Sequence, residues 1–312
     1  MSTESLQPKV IIHGGAGLSL KDKGGKDAVR AALKGIVQEI YDTLLAGSSA
    51  VDAVIKGCQL LEDEPRFNAG TGSVLQSDGQ IRMSASLMDG EKQSLSGVIN
   101  VSRVKNPIFL AKELQSQTDR IISDYGAAEL AREMAIPPYD PLTDLRLKEW
   151  IEERKENFSK KMATVVAEER RGTIGVVALD KQGRIAVATS TGGKGLEKIG
   201  RVSDSAMPAG NYATSLAGVS CTGIGEDIID ECFAAKVVIR VTDGLSLAEA
   251  MEKSIKESQS RNRDLAAIAL DHQGNIVWGK TCEVVLAAYH NGQTISDSLD
   301  AASTDFIGVV SA

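Results

Sequence analysis

Residues 167–193 read "AEERRGTIGVVALDKQGRIAVATSTGG" and join a charged run to a regular β pattern. After Thr173, two apolar runs flank the polar turn "DKQGR", so residues 177–188 read as a β-hairpin. A similar order, "IALDHQGNIVWG", recurs at residues 268–279 and predicts a second hairpin. The bare Gly172–Thr173 step at the first join admits two readings. It is either a loop glycine before a strand, or a peptide bond that is cut to make Thr173 a new N-terminus.

Working outward, "KVIIHGGAG" is a short apolar strand running into a glycine turn at residues 13–17. Two helical patterns follow. One lies within residues 26–45, and the other begins at "SSAVDAVIKGCQLLED" with Ser48 or Ser49 as N-cap. "EPRFNAGTGSVLQSDGQIRMSASLMDG" reads as a glycine-rich loop leading into strands that turn at residues 77–79. "LSGVINV" predicts a strand, and "NPIFLAKELQ" and "AAELAREMA" predict helices. From residue 137 the turn-rich "IPPYDPLTD" precedes a highly charged segment, expected to be a solvated helix fading into a flexible linker up to residue 172. Two more helical patterns, near residues 227–241 and 246–258, separate the hairpins. Strands and helices in this order give an α+β chain, with helices packed outside sheets.

The 312 residues suffice for a large core, in one domain or two. A net charge of −7 argues against a nucleic-acid surface. No apolar run reaches membrane-spanning length, and the N-terminus lacks the basic and long apolar regions of a secretory signal. Cys58, Cys221, Cys232 and Cys282 are widely spaced without a CxxC pair. Reduced thiols in the cytoplasm are therefore expected, and the sequons at Asn100 and Asn157 carry no weight without secretion.

Several familiar sites are missing. The three histidines, His13, His272 and His290, form no zinc motif, and there is no GxSxG elbow. Each histidine reads as structural or exposed. "GNIVWGKT" at residues 274–281 fits the phosphate-loop expression, but its central residues form a strand where the chemistry needs a flexible turn opening a helix. It is read as a strand. The glycine clusters "HGGAG", "FNAGTG", "STGGKG" and "SCTGIGED" remain, each beside a strand-like run. Together they suggest loops whose backbone amides approach a small ligand, with Thr191 and Thr222 adding hydroxyls.

The ordered series "IHGGAG", "FNAGTGSVL", "SLMDG", "GTIGVVALDKQGRIAVATSTGG", "GRVSDS" and "SCTGIGE" spans nearly the whole chain. It resembles the plant-type L-asparaginase and isoaspartyl peptidase family of N-terminal nucleophile (Ntn) hydrolases. The resemblance implies a single domain over 1–312, a four-layer αββα sandwich that cuts itself into an α subunit (1–172) and a β subunit (173–312). It implies Thr173 as nucleophile, with Thr191 beside it and Asn68 next to the pair. Arg201 and Asp204 match the residues that hold the substrate's α-carboxylate and α-amine. Thr222 and Gly223 match the oxyanion-hole donors, and Gly225 matches a substrate-contacting backbone. Leu61, Glu62, Glu64, Phe67, Ala69 and Thr71 fall on a loop that wraps a sodium ion with carbonyl oxygens in relatives. No other cofactor is expected. The implied partners are a small-molecule substrate, a β-aspartyl dipeptide or L-asparagine, and a second cleaved unit in a dimer of heterodimers.

The chemistry is coherent on its own terms. A threonine hydroxyl needs a base, and the α-amine of an N-terminal Thr173, with a reference pKa of about 7.7–8.0, can serve near neutral pH without histidine. A tetrahedral oxyanion would meet the Thr222 hydroxyl and Gly223 N–H. An arginine and an aspartate suit the two poles of an α-amino acid. From the residues alone, Arg201 and Asp204 could equally be a surface ion pair, and Thr191 and Thr222 strand-end hydroxyls.

Some departures bear on substrate preference. Ser203 stands where relatives often have Gly, Ser84 replaces a common Asp, and residues 203–220 run slightly short. The rival within the fold is glycosylasparaginase, which usually has Asp before its threonine; here Gly172 stands there. The rival of another class is a non-catalytic ligand- or nucleotide-binding protein, which would stay uncut.

Overall fold

A computed structural model describes residues 6–17, 20, 24–156 and 172–311. The chain forms thirteen strands and eight α-helices among these residues. The strands are β1 (Lys9–Ala16), β2 (Met83–Asp89), β3 (Ser94–Val101), β4 (Ile121–Ser123), β5 (Ile174–Leu179), β6 (Ile185–Thr191) and β7 (Asn211–Ala213). They continue as β8 (Ala217–Gly223), β9 (Leu265–Asp271), β10 (Ile276–Lys280), β11 (Val285–His290), β12 (Ile295–Asp297) and β13 (Ile307–Val310). The helices are α1 (Lys26–Leu45), α2 (Ala50–Asp63), α3 (Ile108–Leu114), α4 (Asp124–Glu133), α5 (Asp144–Glu156), α6 (Gly225–Glu231), α7 (Phe233–Thr242) and α8 (Leu247–Ser260).

Two sheets result, ordered β12-β11-β1-β5-β6-β2-β3-β4 and β13-β10-β9-β8-β7. All neighbours run antiparallel except β3 and β4. Both expected hairpins form, as β5–β6 and β9–β10. Strand periodicity sorts their side chains into separate cores. Ile12, Ile174 and Val176 face Val29, Leu33, Val37 and Ile40 of α1. Their neighbours Ile11, Val177 and Val187 pack instead against Ile268, Leu270 and Trp278 of the other sheet. Ala267 and Ala269 point away from that interface, toward Phe233, Val238, Met251 and Ile255 of α7 and α8. With both faces covered, β1, β5, β6 and β9 are buried at every position, which explains the apolar runs at 10–12, 174–179, 185–188 and 265–270 within them.

The helix ends follow their caps. Ser49 caps α2 by accepting from the Asp52 N–H, and Ser246 with Glu249 forms a capping box on α8. Three local expectations change. No strand precedes the turn at residues 77–79; residues 74–80 are irregular, held by bonds such as Gln76 N–H to the Gln80 carbonyl. The helix expected at 227–241 is broken into α6 and α7, where Cys232 adopts a left-handed φ of 47°. Within the expected linker, α5 is largely exposed but also docked along one side: Arg146 Nε donates to the Gly72 carbonyl at 2.7 Å and Trp150 Nε1 to the Gln76 carbonyl at 3.0 Å. Residues 157–171, the rest of that expected linker, lie outside the described residues. No described helix is long and apolar enough to cross a membrane.

Candidate active site

Thr173 immediately precedes β5, in the middle of the larger sheet, and Thr191 ends the neighbouring strand β6. The antiparallel register brings these two ends together, with Ile174 opposite Ser190. The Thr173 hydroxyl donates to Thr191 Oγ1 at 3.2 Å, and Thr191 Oγ1 also accepts the Gly193 N–H at 3.1 Å. Both threonines are buried. Asn68, from the loop after α2, closes this cluster. Its Nδ2 donates to the Gly193 carbonyl at 2.6 Å, its Oδ1 accepts the Val74 N–H, and its own carbonyl accepts the Gly192 N–H. Gly172 sits so tightly on Asn68 that an added Cβ would lie 2.8 Å from the asparagine Cβ. Gly172, Thr173, Thr191 and Asn68 thus form one constellation.

Thr222 and Gly223 end β8 in the smaller sheet, and Gly225 opens α6 two residues later. The Thr222 hydroxyl is fully buried and has no hydrogen-bond partner among the described residues. Gly223 has a φ of 134°, in the left-handed half that side chains avoid, and an added Cβ would meet the Asp264 carbonyl and Leu265 at 2.7 Å.

Arg201, Asp204 and Gly225 form a second group. A Cβ on Gly225 would lie 2.6 Å from Arg201 Nη2 and 2.9 Å from Asp204 Oδ1, so a backbone without side chain lets both charges face one spot. They do not pair with each other. The guanidinium is taken side-on by Glu226, with Nε to Oε1 at 2.8 Å and Nη2 to Oε2 at 2.9 Å. These bonds from Arg201 hold the Glu226 carboxyl down at about 2. Asp204 is buried, with Oδ2 unpartnered among the described residues. Burial raises its pKa to about 7, against the pull of Arg201. Ser203, the departure noted above, accepts the Ser205 N–H and caps the turn that presents Asp204. Ser84 accepts the Asn100 N–H at 3.2 Å.

The six cation candidates divide between two elements. Leu61 and Glu62 lie in the last turn of α2, not on the loop where the sequence reading put them; Glu64, Phe67, Ala69 and Thr71 follow it. Pro65 cannot donate the bond that would satisfy the Leu61 carbonyl, and the Arg66 N–H turns to Glu64 Oε1. The Glu62 carbonyl accepts the Thr71 N–H at 2.8 Å, bending the chain back on itself. Hard carbonyl oxygens at the negative end of a helix dipole suit a monovalent cation of the sodium kind. The described residues contain no acidic or His/Cys cluster of metal-ligand type.

Two features escaped the sequence reading. Glu226 stands inside the quoted "SCTGIGED", but nothing in the string shows that it reaches back to Arg201. His13 is buried, with Nε2 2.9 Å from Ser220 Oγ, which lies 2.8 Å from Thr189 Oγ1. This buried polar group crosses from one sheet to the other beneath Thr173. Burial depresses the His13 pKa to about 3, so the ring is neutral. His272 is exposed, and His290 stacks on Tyr41.

Comparison with known proteins identifies relatives over nearly the whole chain. The family described as asparaginase matches residues 6–299. The chain is 68% identical over 309 residues to "Isoaspartyl peptidase/L-asparaginase" of Synechocystis sp., covering 97% of this chain and 94% of the relative. It is 65% identical to a protein of the same name in Nostoc sp., covering 98% and 99%. "Plant-type L-asparaginase" of Pyrococcus abyssi is 35% identical, covering 90% of this chain and 95% of the relative.

Proposed function

The chain belongs to the asparaginase family, and from that premise we propose a threonine hydrolase that cleaves β-aspartyl dipeptides and the side-chain amide of L-asparagine. The observation that carries this reading is the Thr173–Thr191 hydroxyl pair, with Gly172 seated against Asn68. The Gly172–Thr173 bond is the one the chain cuts in itself, giving fragments 1–172 and 173–312. The Thr173 hydroxyl attacks the Gly172 carbonyl and the C–N bond breaks, so the amide becomes an ester and the Thr173 α-amine is freed; water then hydrolyses the ester, leaving the Gly172 carboxylate and restoring the Thr173 hydroxyl.

That amine then takes the proton from its own hydroxyl as Thr173 attacks the substrate's side-chain carbonyl. Thr191 fixes the hydroxyl. Thr222 Oγ1, buried and unpartnered among the described residues, donates to the oxyanion together with the Gly223 N–H. Ammonia or an amino acid leaves with the transferred proton. Water then frees L-aspartate from the acyl-enzyme and restores the hydroxyl. Arg201 and Asp204 receive the substrate's α-carboxylate and α-amine above Gly225.

The carbonyls of Leu61, Glu62, Glu64, Phe67, Ala69 and Thr71 would hold a sodium ion that fastens the loop carrying Asn68; its part is structural. We read the architecture as a four-layer αββα sandwich, supported by the three separate cores between its layers. A cytoplasmic home is supported by free Cys58, Cys221, Cys232 and Cys282, and the proposal includes the pairing of two cleaved units as a dimer. Gly172 in place of Asp weighs against the glycosylasparaginase alternative.

Denaturing electrophoresis with N-terminal sequencing tests the cut: two fragments, one beginning at Thr173, are expected. Thr173→Ala should leave one intact chain without turnover. A wild-type chain intact after prolonged incubation, or an active Thr173→Ala protein, would refute the assignment. Faster hydrolysis of glycosyl-asparagine than of β-aspartyl dipeptides would transfer the chain to the rival activity.

A further inference from the structure

An arginine and an aspartate facing the same spot have a problem of their own. Left alone, they pair with each other and close the site to a zwitterion. In this chain Arg201 makes its ion pair with Glu226 and none with Asp204 among the described residues, although a single Cβ position at Gly225 lies close to both. Glu226 takes the guanidinium by Nε and one hydrogen of Nη2. Of the five N–H donors, the two on Nη1 and the second on Nη2 remain. These form an end-on fork of the kind that grips a second carboxylate with two parallel bonds.

We propose that Glu226 is a positioning residue for the substrate head: it clamps Arg201 side-on, holding the guanidinium away from Asp204 and turning its free fork toward the incoming α-carboxylate. Glu226 sits on the first turn of α6, one residue beyond Gly225, so the strand-to-helix turn that opens the pocket also supplies the clamp. Lys194 lies 3.7 Å from Glu226 Oε1 and balances its charge from the outer side. Asp204 turns Oδ1 toward the same spot, 2.9 Å from the Cβ position at Gly225, to meet the substrate ammonium. Without the clamp, the flexible arginine collapses onto that oxygen, and both poles of the site are lost together. The inference rests on the hydrolase reading above and adds to it a residue that touches neither substrate nor nucleophile.

The test compares wild type, Glu226→Ala and Glu226→Gln after processing, on L-asparagine, a β-aspartyl dipeptide and L-asparagine amide, whose α-carboxylate is blocked. Glu226→Ala should process normally and show KM for the first two substrates raised about tenfold, with kcat within about twofold. Selectivity for L-asparagine over its amide should fall by a similar factor. Glu226→Gln keeps one acceptor and should lie between. An unchanged or lowered KM in Glu226→Ala would overturn the proposal, as would a kcat loss at constant KM or equal losses on carboxylate and amide substrates. Should the alanine variant fail to fold, the near-isosteric glutamine variant decides: a KM raised about threefold supports the clamp and an unchanged one refutes it. An unprocessed, inactive wild type would instead refute the hydrolase reading, which keeps the two failures apart.

Discussion

At the scale of single residues, the site is organised by where side chains are missing. Gly175 is the sharpest case: a Cβ there would lie 2.0 Å from Ser220 Oγ and 2.4 Å from His13 Nε2. Gly175→Ala must therefore break the buried His13–Ser220–Thr189 group, at a cost of about 1–3 kcal/mol. Urea unfolding of the Thr173→Ala protein with and without this second change measures it, and equal midpoints would contradict the packing. Asp204 makes a pH prediction. Only the ionised carboxylate binds an ammonium, and burial raises its pKa to about 7. Protonation on the acid side empties the binding form, so kcat/KM should fall between about pH 8 and about pH 6, mostly through KM. Bound substrate keeps Asp204 ionised, so this limb is absent from kcat, whereas a limb from the Thr173 amine appears in both. A KM flat over that range would show that Asp204 does not carry the ammonium.

At the scale of elements, propensity and capping are separable from catalysis. The Ser246–Glu249 capping box lies at the start of α8, on the outer helical face of the smaller sheet. Ser246→Ala should cost about 1 kcal/mol in unfolding while leaving KM and kcat unchanged; a changed KM would show that α8 communicates with the site. Elements of this kind are the ones legible in the string. Both hairpins, the Ser49 cap and most helices follow from apolar period, turn glycines and capping residues, because those signals are local. The break at Cys232 was hidden because apolar period continues through it. The short strands β7, β12 and β13 carry too few residues for any period to show. In the site, the threonines and glycines were found through an ordered set of motifs. The Glu226 clamp and the His13 bond to Ser220 were not, because each depends on an approach between elements that no local pattern encodes.

At the scale of the whole molecule, the proposed cut falls in an uncommon place. Strands from residues 1–172 and 173–312 alternate across the larger sheet: β12 and β11, then β1, then β5 and β6, then β2, β3 and β4. Strand β1 lies between β11 and β5, and β2 is paired to β6. Neither fragment owns the larger sheet, although the smaller one lies wholly within residues 173–312. Before the cut, refolding is an event within one chain, and its rate is independent of protein concentration. Afterwards the covalent link between β1–β4 and β5 is gone, and recovery from the unfolded state requires two molecules to meet. The processed protein should therefore refold at a concentration-dependent rate and to a yield that falls on dilution, while Thr173→Ala refolds alike at every dilution. Identical behaviour of the two would contradict the interleaving. Peptide-bond cleavage inside a finished sheet thus turns a folding problem into an assembly problem. On the proposed cut, each molecule would gain its nucleophile once, and a fragment pair dispersed by heat or denaturant would have no covalent record of its partner.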